Sequence, residues 1–373
     1  MTETVTAAAR IVKRYRLSYY VFPILFLVFL MKAVGLYRYL PITDDDSLQD
    51  VELEAPAAKG YDLLVAVKAI SVNPVDTKVR SPKDKEEDGV EAKPKILGWD
   101  AAGVVVGVGE SVTAFRIGDE VYYAGDITRS GSYSEFQLVD ERIVGRKPKT
   151  LSFAQAAAMP LTTITAWEAL FERLGIGRSG EDAGKSILII NGAGGVGSIA
   201  IQLAKQVAKL TVIASASRPE TIKWCQQLGA DAVVNHRNSL VKEIASVGYK
   251  HIDAILCLND TDGHWPAMTE IIKPQGTICS IVENEQPLKM GPLKRKSAGF
   301  VWEFMFTRSM YQTEDMAAQQ VLLNRVSQLI DSDDIRTTCQ KVVHPINAEN
   351  LREVHRQIES GTTLGKIVVA DWS

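Results

Sequence analysis

One stretch constrains this chain more than any other: Ile187-Leu-Ile-Ile-Asn191-Gly-Ala-Gly-Gly-Val-Gly197. Apolar residues run into a turn with glycine at 192, 194, 195 and 197, and an amphipathic stretch follows over residues 198–207. A bare Gly-x-Gly-x-x-Gly says little. Between an apolar strand and a helix it marks a backbone built to approach a phosphate. Gly192 is expected to allow the tight turn, Gly194 to clear the approach to a pyrophosphate, and Gly197 to let the helix pack close to the strand. Gly195 and Val196 open the helix, where free N–H groups and the positive end of the helix dipole meet the phosphates. The pattern predicts a dinucleotide-binding turn in a Rossmann-type, doubly wound parallel sheet.

The end of the next strand bears on which dinucleotide. An acidic residue about twenty positions on would hold the ribose 2′-hydroxyl of NAD. The segment here is Ala214-Ser215-Ala216-Ser217-Arg218. It has no carboxylate, and the Ser215 and Ser217 hydroxyls with the Arg218 guanidinium suit a 2′-phosphate. The expected cofactor is NADP(H). His236, after the third strand of this unit, is read either as a further 2′-phosphate contact or as a surface histidine.

Around this turn the pattern divides the chain. Residues 31–155 are β-rich, with short runs at 62–72, 101–108, 120–123 and 133–139 set off by glycine, as in a barrel-like sheet. Helical patterns follow at 153–159 and 163–174. Strands at 186–191, 211–214, 232–234, 252–258 and 277–282 then alternate with helical or loop segments, which means parallel pairing. Beyond residue 308 a helix (314–330), a strand (340–343), a helix (348–359) and a strand (365–369) are expected to rejoin the first domain. The expected division is an extension at 1–30, a barrel domain at 31–155, a dinucleotide-binding domain at 156–308 and a returning segment at 309–373.

Composition removes some function classes. A net charge of -3, with 46% hydrophobic and 23% charged residues, gives no reason to expect a nucleic-acid partner. Cys225, Cys257, Cys279 and Cys339 are too scattered for a tight metal loop, and suit a reducing, cytoplasmic setting. Arg10, Lys13, Arg14 and Arg16 precede an apolar run over residues 17–30 that contains Pro23. The order is that of a signal peptide, yet no small-residue cleavage site follows and the run is shorter than the ~20 residues of a spanning helix. Two readings stay open: an extension upstream of a start at Met31, or a short membrane anchor. Residues 81–95 read as a charged, solvated loop.

Four motifs outline a known family: Ser71-Val-Asn73-Pro74-Val-Asp76, Leu97-Gly-Trp-Asp100-Ala-Ala-Gly103, Ala156-Ala-Ala-Met-Pro160-Leu-Thr162, and the turn at 192–197. With these, the chain from Met31 onward resembles the medium-chain dehydrogenase/reductase superfamily, in the quinone-oxidoreductase-like branch often labelled zinc-type alcohol dehydrogenase-like. The resemblance implies a GroES-like β-barrel catalytic domain, a Rossmann domain and a cleft between them. It also implies a homodimer, expected to form when strand 277–282 adds to its copy. Zinc members carry a cysteine after the strand that here ends at Val72, and then Gly-His-Glu. This chain has Asn73-Pro74 and Gly98-Trp99-Asp100 instead, and all five histidines lie beyond residue 235. Zinc takes thiolate, imidazole or carboxylate, so no metal is expected.

Without a Lewis acid to hold an alkoxide, oxidation of a simple alcohol is disfavoured. A quinone or an α,β-unsaturated carbonyl places developing charge on its own oxygen, and hydrogen-bond donors suffice. Asn73, Lys78 and Tyr133 are the catalytic candidates. Asn73 stands at the metal-ligand position, Lys78 is a candidate proton donor, and Tyr133 resembles a residue near the nicotinamide. Asp76 is expected to hold the Asn73 turn and Trp99 to wall the cleft. Thr162 resembles a residue lining the nicotinamide pocket, or caps a helix. Residues 287–306, with Lys294, Arg295, Lys296, Phe300, Trp302, Phe304 and Phe306, read as a pocket wall, core or interface. The expected function is zinc-independent, NADPH-dependent reduction of quinones or conjugated carbonyls. The alternatives are a zinc-dependent alcohol dehydrogenase and a non-enzymatic NADP(H)-binding redox sensor.

Overall fold

The computed structural model describes residues 29–82 and 90–372. The N-terminal basic cluster and the apolar run up to residue 28 lie outside the described residues, as do residues 83–89 of the charged loop. Among the described residues no helix is long and apolar enough to cross a membrane.

The first half of the chain supplies alternating, glycine-punctuated strands: β1 (Leu30–Leu36), β2 (Gln49–Glu54), β3 (Asp62–Ser71), β4 (Lys95–Ile96), β5 (Ala101–Val108), β6 (Glu120–Tyr123), β7 (Phe136–Asp140) and β8 (Val144–Arg146). β2, β1 and β4 form one small antiparallel sheet. β3, β5, β6 and β8 run side by side in a larger one, with β7 also paired to β3. Together they make the GroES-like barrel. The run expected at 133–139 enters the sheet only at Phe136. Upstream, Tyr133 is held between two other segments, accepting from Val34 N–H (2.8 Å) and donating its own N–H to Leu97 O (2.9 Å).

The second half forms a six-stranded sheet of β9 (Ser186–Ile190), β10 (Thr211–Ser215), β11 (Ala232–Val234), β12 (Ile252–Cys257), β13 (Ile272–Ser280) and β14 (Gly299–Trp302). Every pairing is parallel and the spatial order is β11-β10-β9-β12-β13-β14, the doubly wound Rossmann arrangement. Every residue of β9 is buried, as a central strand covered on both faces requires. The order reverses at β9, and the glycine-rich turn leaves its carboxyl end there.

One expectation is corrected by this order. Strand 277–282 is not a sheet edge, because β12 and β14 flank β13 on both sides. The edges are β11 and, on the β13 side, β14, inside the aromatic segment 287–306. Its short run was hard to see as a strand beside so many large rings. Phe300 packs on Trp265 (5.1 Å between centroids), while Trp302 and Phe304 are exposed.

The joint between the domains is dry. All eight residues of the helix Pro160–Trp167 are buried. It runs on as a π-helical stretch, Glu168–Arg173, where sequence periodicity predicts one α-helix over 163–174. Glu168 is fully buried there, and Arg308 binds it (2.7 Å) together with Glu172 (2.7 Å) and Asp315 (2.7 Å). The helix expected from 314 begins at Ala318, after a turn that carries Asp315. Beyond it, β15 (Cys339–Val343) pairs in parallel with β16 (Lys366–Ala370), and β16 pairs antiparallel with β3, so the returning segment lies in the barrel sheet. Arg308→Ala leaves Glu168 buried without its cation. Urea unfolding is expected to show a loss of about 3–5 kcal/mol, whereas replacing the exposed Arg116 is expected to change little.

Candidate active site

Asn191, not Gly192, makes the sharp exit from β9: its φ is 65°, and no glycine of the turn has a positive φ. Asparagine tolerates this left-handed conformation better than most residues. Gly192 serves close packing instead, since a Cβ there would sit 2.8 Å from Ala214 Cβ and 3.2 Å from Cys225 Sγ. Gly197 has the role read from the sequence, because a Cβ would fall 2.5 Å from Asn191 O. The helix Gly195–Gln206 has no side-chain cap at Gly194. Its first-turn N–H groups are therefore free for an anion, and Gly194, Gly195 and Val196 are only partly buried. The turn fits a dinucleotide pyrophosphate.

At the far end of β10, Ser215 is fully buried and spent on structure. It accepts from Asn191 N–H (2.9 Å) and its hydroxyl lies 3.1 Å from His236 Nδ1. Ser217 is partly exposed. Arg218 donates to Thr362 O (2.7 Å) and is paired with Glu220 (2.9 Å), a carboxylate just past the segment judged free of acids. His236 is half-buried and its ring stands 6.4 Å from that of His264. Burial, and then His264, lower the His236 pKa.

Beside the turn lies a buried polar cluster drawn from four segments. Lys366 begins β16. Its ammonium donates to Val72 O (3.0 Å) and to Asn73 Oδ1, and lies 3.1 Å from Asp100 Oδ2. Asp100 also accepts from Asn73 Nδ2 (2.8 Å) and from Leu161 N–H (2.8 Å). Burial pushes the Asp100 pKa up, opposed first by the Lys366 charge and then by these hydrogen bonds. The cluster touches the nucleotide turn directly. A Cβ on Gly195 would lie 2.9 Å from Lys366 Cδ and 3.0 Å from Thr162 Cγ2, and Gly365 N–H donates to Ala193 O (3.0 Å). Neither Lys366 nor Asp100 was singled out as a site residue from sequence. Asp100 lies inside the Leu97–Gly103 motif, whereas Lys366 is remote in sequence and only the return of β16 to β3 brings it here.

The other candidates fall in different places. Asn73 is buried, and its amide N–H groups are taken by Asp100 and by Ser71 O (3.3 Å). Asp76 accepts Asn73 N–H and closes a capping box at the helix Pro74–Arg80. Lys78, on that helix, is exposed. Tyr133 is fully buried, with its hydroxyl 3.1 Å from His355 Nε2. Thr162 is buried at the start of its helix and donates to Met159 O (3.2 Å). Trp99 is buried edge-on to Phe306 (6.1 Å) and donates to Asp126 O (3.3 Å).

A two-domain oxidoreductase architecture follows: a Rossmann sheet whose phosphate turn is pressed against the polar floor of a GroES-like barrel. The chain belongs to the medium-chain dehydrogenase/reductase superfamily. Residues 59–161 match the alcohol dehydrogenase GroES-like domain and residues 228–369 match a zinc-binding dehydrogenase family. A zinc-type alcohol dehydrogenase-like protein of Staphylococcus epidermidis is 39% identical over 341 residues, which are 91% of this chain and 99% of that protein. A Rhizobium etli CFN 42 protein, named among zinc-dependent alcohol dehydrogenases, has a crystal structure that superposes with a TM-score of 0.87 at 50% identity, covering 92% of this chain and 99% of its own. The chloroplastic NADPH-dependent alkenal/one oxidoreductase of Arabidopsis thaliana is 36% identical over 248 residues, 63% of this chain and 62% of its own.

The family names imply zinc, but the donors around Asn73 and Trp99 do not fit it. An amide and an indole stand at the two ligand positions, and neither is a zinc ligand. Of the two carboxyls at this turn, Asp100 already has an ammonium against it and Asp76 is engaged by the Asn73 backbone N–H. Among the described residues no three His, Cys, Asp or Glu side chains converge on a metal-sized site. Two substitutions test the geometry. Gly197→Ala is expected to weaken dinucleotide binding by at least about tenfold, read by fluorescence titration, because its Cβ meets backbone. Lys366→Met strands Asp100 in the interior and is expected to cost about 3–5 kcal/mol at neutral pH. Asp100 binds its proton more tightly folded than unfolded, so that loss should shrink as pH falls and the acid becomes neutral.

Proposed function

We propose that this protein is a zinc-independent, NADPH-dependent reductase of quinones or α,β-unsaturated carbonyl compounds. One observation carries the reading: the uncapped nucleotide turn abuts a polar cluster whose cation is Lys366 and which offers neither thiolate nor imidazole. Such a site can orient a dinucleotide and exclude water, but has no Lewis acid for stabilising an alkoxide. The similarity to an NADPH-dependent alkenal/one oxidoreductase supports the same acceptor class and cofactor.

The bound nicotinamide supplies a hydride from C4. The residues of this chain do the rest. The turn from Gly192 to Gly197 holds the pyrophosphate, while Ser217, Arg218 and His236 face the 2′-phosphate. Ser215 fixes the turn from behind through Asn191. Thr162 and the Lys366 stem lie against Gly195 of the turn and would border a bound nicotinamide. Trp99, which precedes Asp100, and Phe306 are buried edge to face and would back the acceptor side of the site. Asn73 acts by holding Lys366 and Asp100, since its own N–H groups are spent. An enone would take that hydride at its β-carbon and a proton at its α-carbon, for which Lys78, exposed on the helix Pro74–Arg80, or solvent would be the source. The four cysteines are unpaired, which suits work in the cytoplasm. The protein works as a homodimer joined at the free edge of β14, beside the exposed Trp302 and Phe304.

The test is a panel of quinones, enones, enals and simple alcohols assayed with NADPH and NADH in parallel, with and without chelator. Enone or quinone reduction with NADPH that survives chelation is the expected result. One tightly held zinc per chain, with activity lost on its removal, would refute the reading. Arg218→Ala is expected to lower the preference for NADPH over NADH about tenfold.

A further inference from the structure

The carboxyl end of the dinucleotide sheet carries two imidazoles that the glycine turn does not explain. His236 follows β11, and His264 lies near the start of the helix Thr261–Ile271, which follows β12. β11 and β12 stand on opposite sides of β9, where the strand order reverses. The two rings nevertheless meet edge to face across that point, 6.4 Å between centroids, and both are half-buried. A crevice at a reversal of strand order is where such sheets hold their ligands.

Hydrogen bonds fix the proton on one of the rings. Ser215, fully buried at the end of β10, accepts Asn191 N–H (2.9 Å), and its hydroxyl oxygen lies 3.1 Å from His236 Nδ1. Among the described residues that hydroxyl has no further hydrogen-bond partner. A proton on Nδ1 would be donated to the serine, and the serine's own proton would be left in the interior without an acceptor. The serine therefore donates, Nδ1 accepts, and His236 is a neutral ring with its proton on Nε2. That Nε2–H and both nitrogens of His264 make no hydrogen bond among the described residues, so they are available to a ligand.

The charges around the pair leave an anion under-matched. Arg218 is shared between Glu220 (2.9 Å) and Thr362 O (2.7 Å). Asp260 caps the His264 helix through Gly263 N–H (2.9 Å), and Asp262 beside it accepts Glu285 N–H (2.7 Å). Glu243 holds the Asn235 N–H (2.9 Å), and Arg237 is exposed next to His236. Burial lowers the pKa of both imidazoles, and the Asp260 charge opposes this at His264. The empty pair is thus mostly neutral at pH 7. A phosphate monoester brings a charge of about −1.5 to −2 there, which Arg218, already shared with Glu220, does not balance alone.

We propose that His264 is a specificity-determining residue that forms, with His236, a two-imidazole clamp on the 2′-phosphate of the dinucleotide: His236 donates as a neutral ring, and His264 takes up one proton from solvent as the phosphate arrives. The clamp rests on the NADPH reading above and adds to it a residue and a proton. NADH lacks the phosphate and takes up none. An anion that raises the pKa of a base binds more tightly as pH falls. Protonation of the phosphate itself near pH 6 acts in the opposite direction, so the rise cannot come from the ligand.

The experiment titrates NADPH and NADH into the full chain from about pH 8 to about pH 6.5, by fluorescence, in buffers free of phosphate. Calorimetry in two buffers of different ionisation enthalpy counts the protons. NADPH affinity is expected to rise about three- to tenfold across that range with uptake of up to about one proton, and NADH to show neither. His264→Phe, which keeps a ring beside His236, should flatten the NADPH profile and abolish the uptake, and His264→Gln should do the same. His236→Gln should weaken NADPH at every pH and keep the slope. Circular dichroism checks the fold of each variant. A slope that persists in either His264 variant overturns the clamp, as does an equal loss of NADPH and NADH affinity, which marks a contact to adenine. NADPH favoured over NADH without any slope in the wild type overturns the clamp and leaves the cofactor reading standing. NADH bound as tightly as NADPH at every pH overturns both.

Discussion

An ammonium group with no exit to solvent organises the junction of this molecule. Lys366 has three protons and three acceptors, from the end of β3, from Asn73 and from Asp100. Burying a charge this deeply costs several kcal/mol unless hydrogen bonds and an opposite charge meet it, and here they all do. The arrangement holds only if four separate segments arrive together. β3 delivers Val72 and Asn73, the head of β5 delivers Asp100, the helix from Pro160 delivers Leu161 N–H, and β16 delivers the lysine. Displacing any of them strands a charge. The ion pair thus fixes the returning β16 in the barrel, and the Leu161 N–H on Asp100 ties that barrel to the first helix of the dinucleotide side.

A second buried network repeats this logic on the other side of the joint. Arg308 gathers Glu168, Glu172 and Asp315, and Arg173 binds Glu303 (2.9 Å) at the end of β14. Burial, and then its glutamate neighbour, push the Glu303 carboxyl well above the usual carboxylate range, against the pull of Arg173. Both networks set buried acids against few cations, with Asp315 of the second reaching solvent. Burial raises the Asp100, Glu168 and Glu303 carboxyls alike, so each network favours uptake of a proton over an unpaired charge.

Much of the fold was legible because its signals are local. The apolar strand, the glycine spacing and the amphipathic helix around residue 192 lie within twenty residues, and the strand at 101–108 and the helix at 348–359 have the bounds that periodicity assigns. The site was legible only where its chemistry is also local, as in the glycine turn and the Asp76 capping box. Lys366 was missed because a lysine before an apolar strand looks like any strand flank, and nothing near it in sequence announces Asp100. Tyr133 was noticed, but its neighbour His355 lies 222 residues away. The edge strand was misplaced for a related reason. Residues 277–282 carry the stronger β pattern, and β14 becomes a strand through what it packs against.

The pairing of β16 with β3 has a consequence in time. Lys366 Nζ and Val72 O are 294 residues apart in the chain. During synthesis the barrel must wait, with the β3 flank at Ser71 unpaired and Asp100 lacking its cation, until almost the entire dinucleotide domain has emerged and β16 can return. Contacts of such separation form late and slowly. The chain therefore completes its cofactor cleft and its barrel in one closing event, and a molecule interrupted in synthesis has neither a working site nor a finished sheet to expose to the cell.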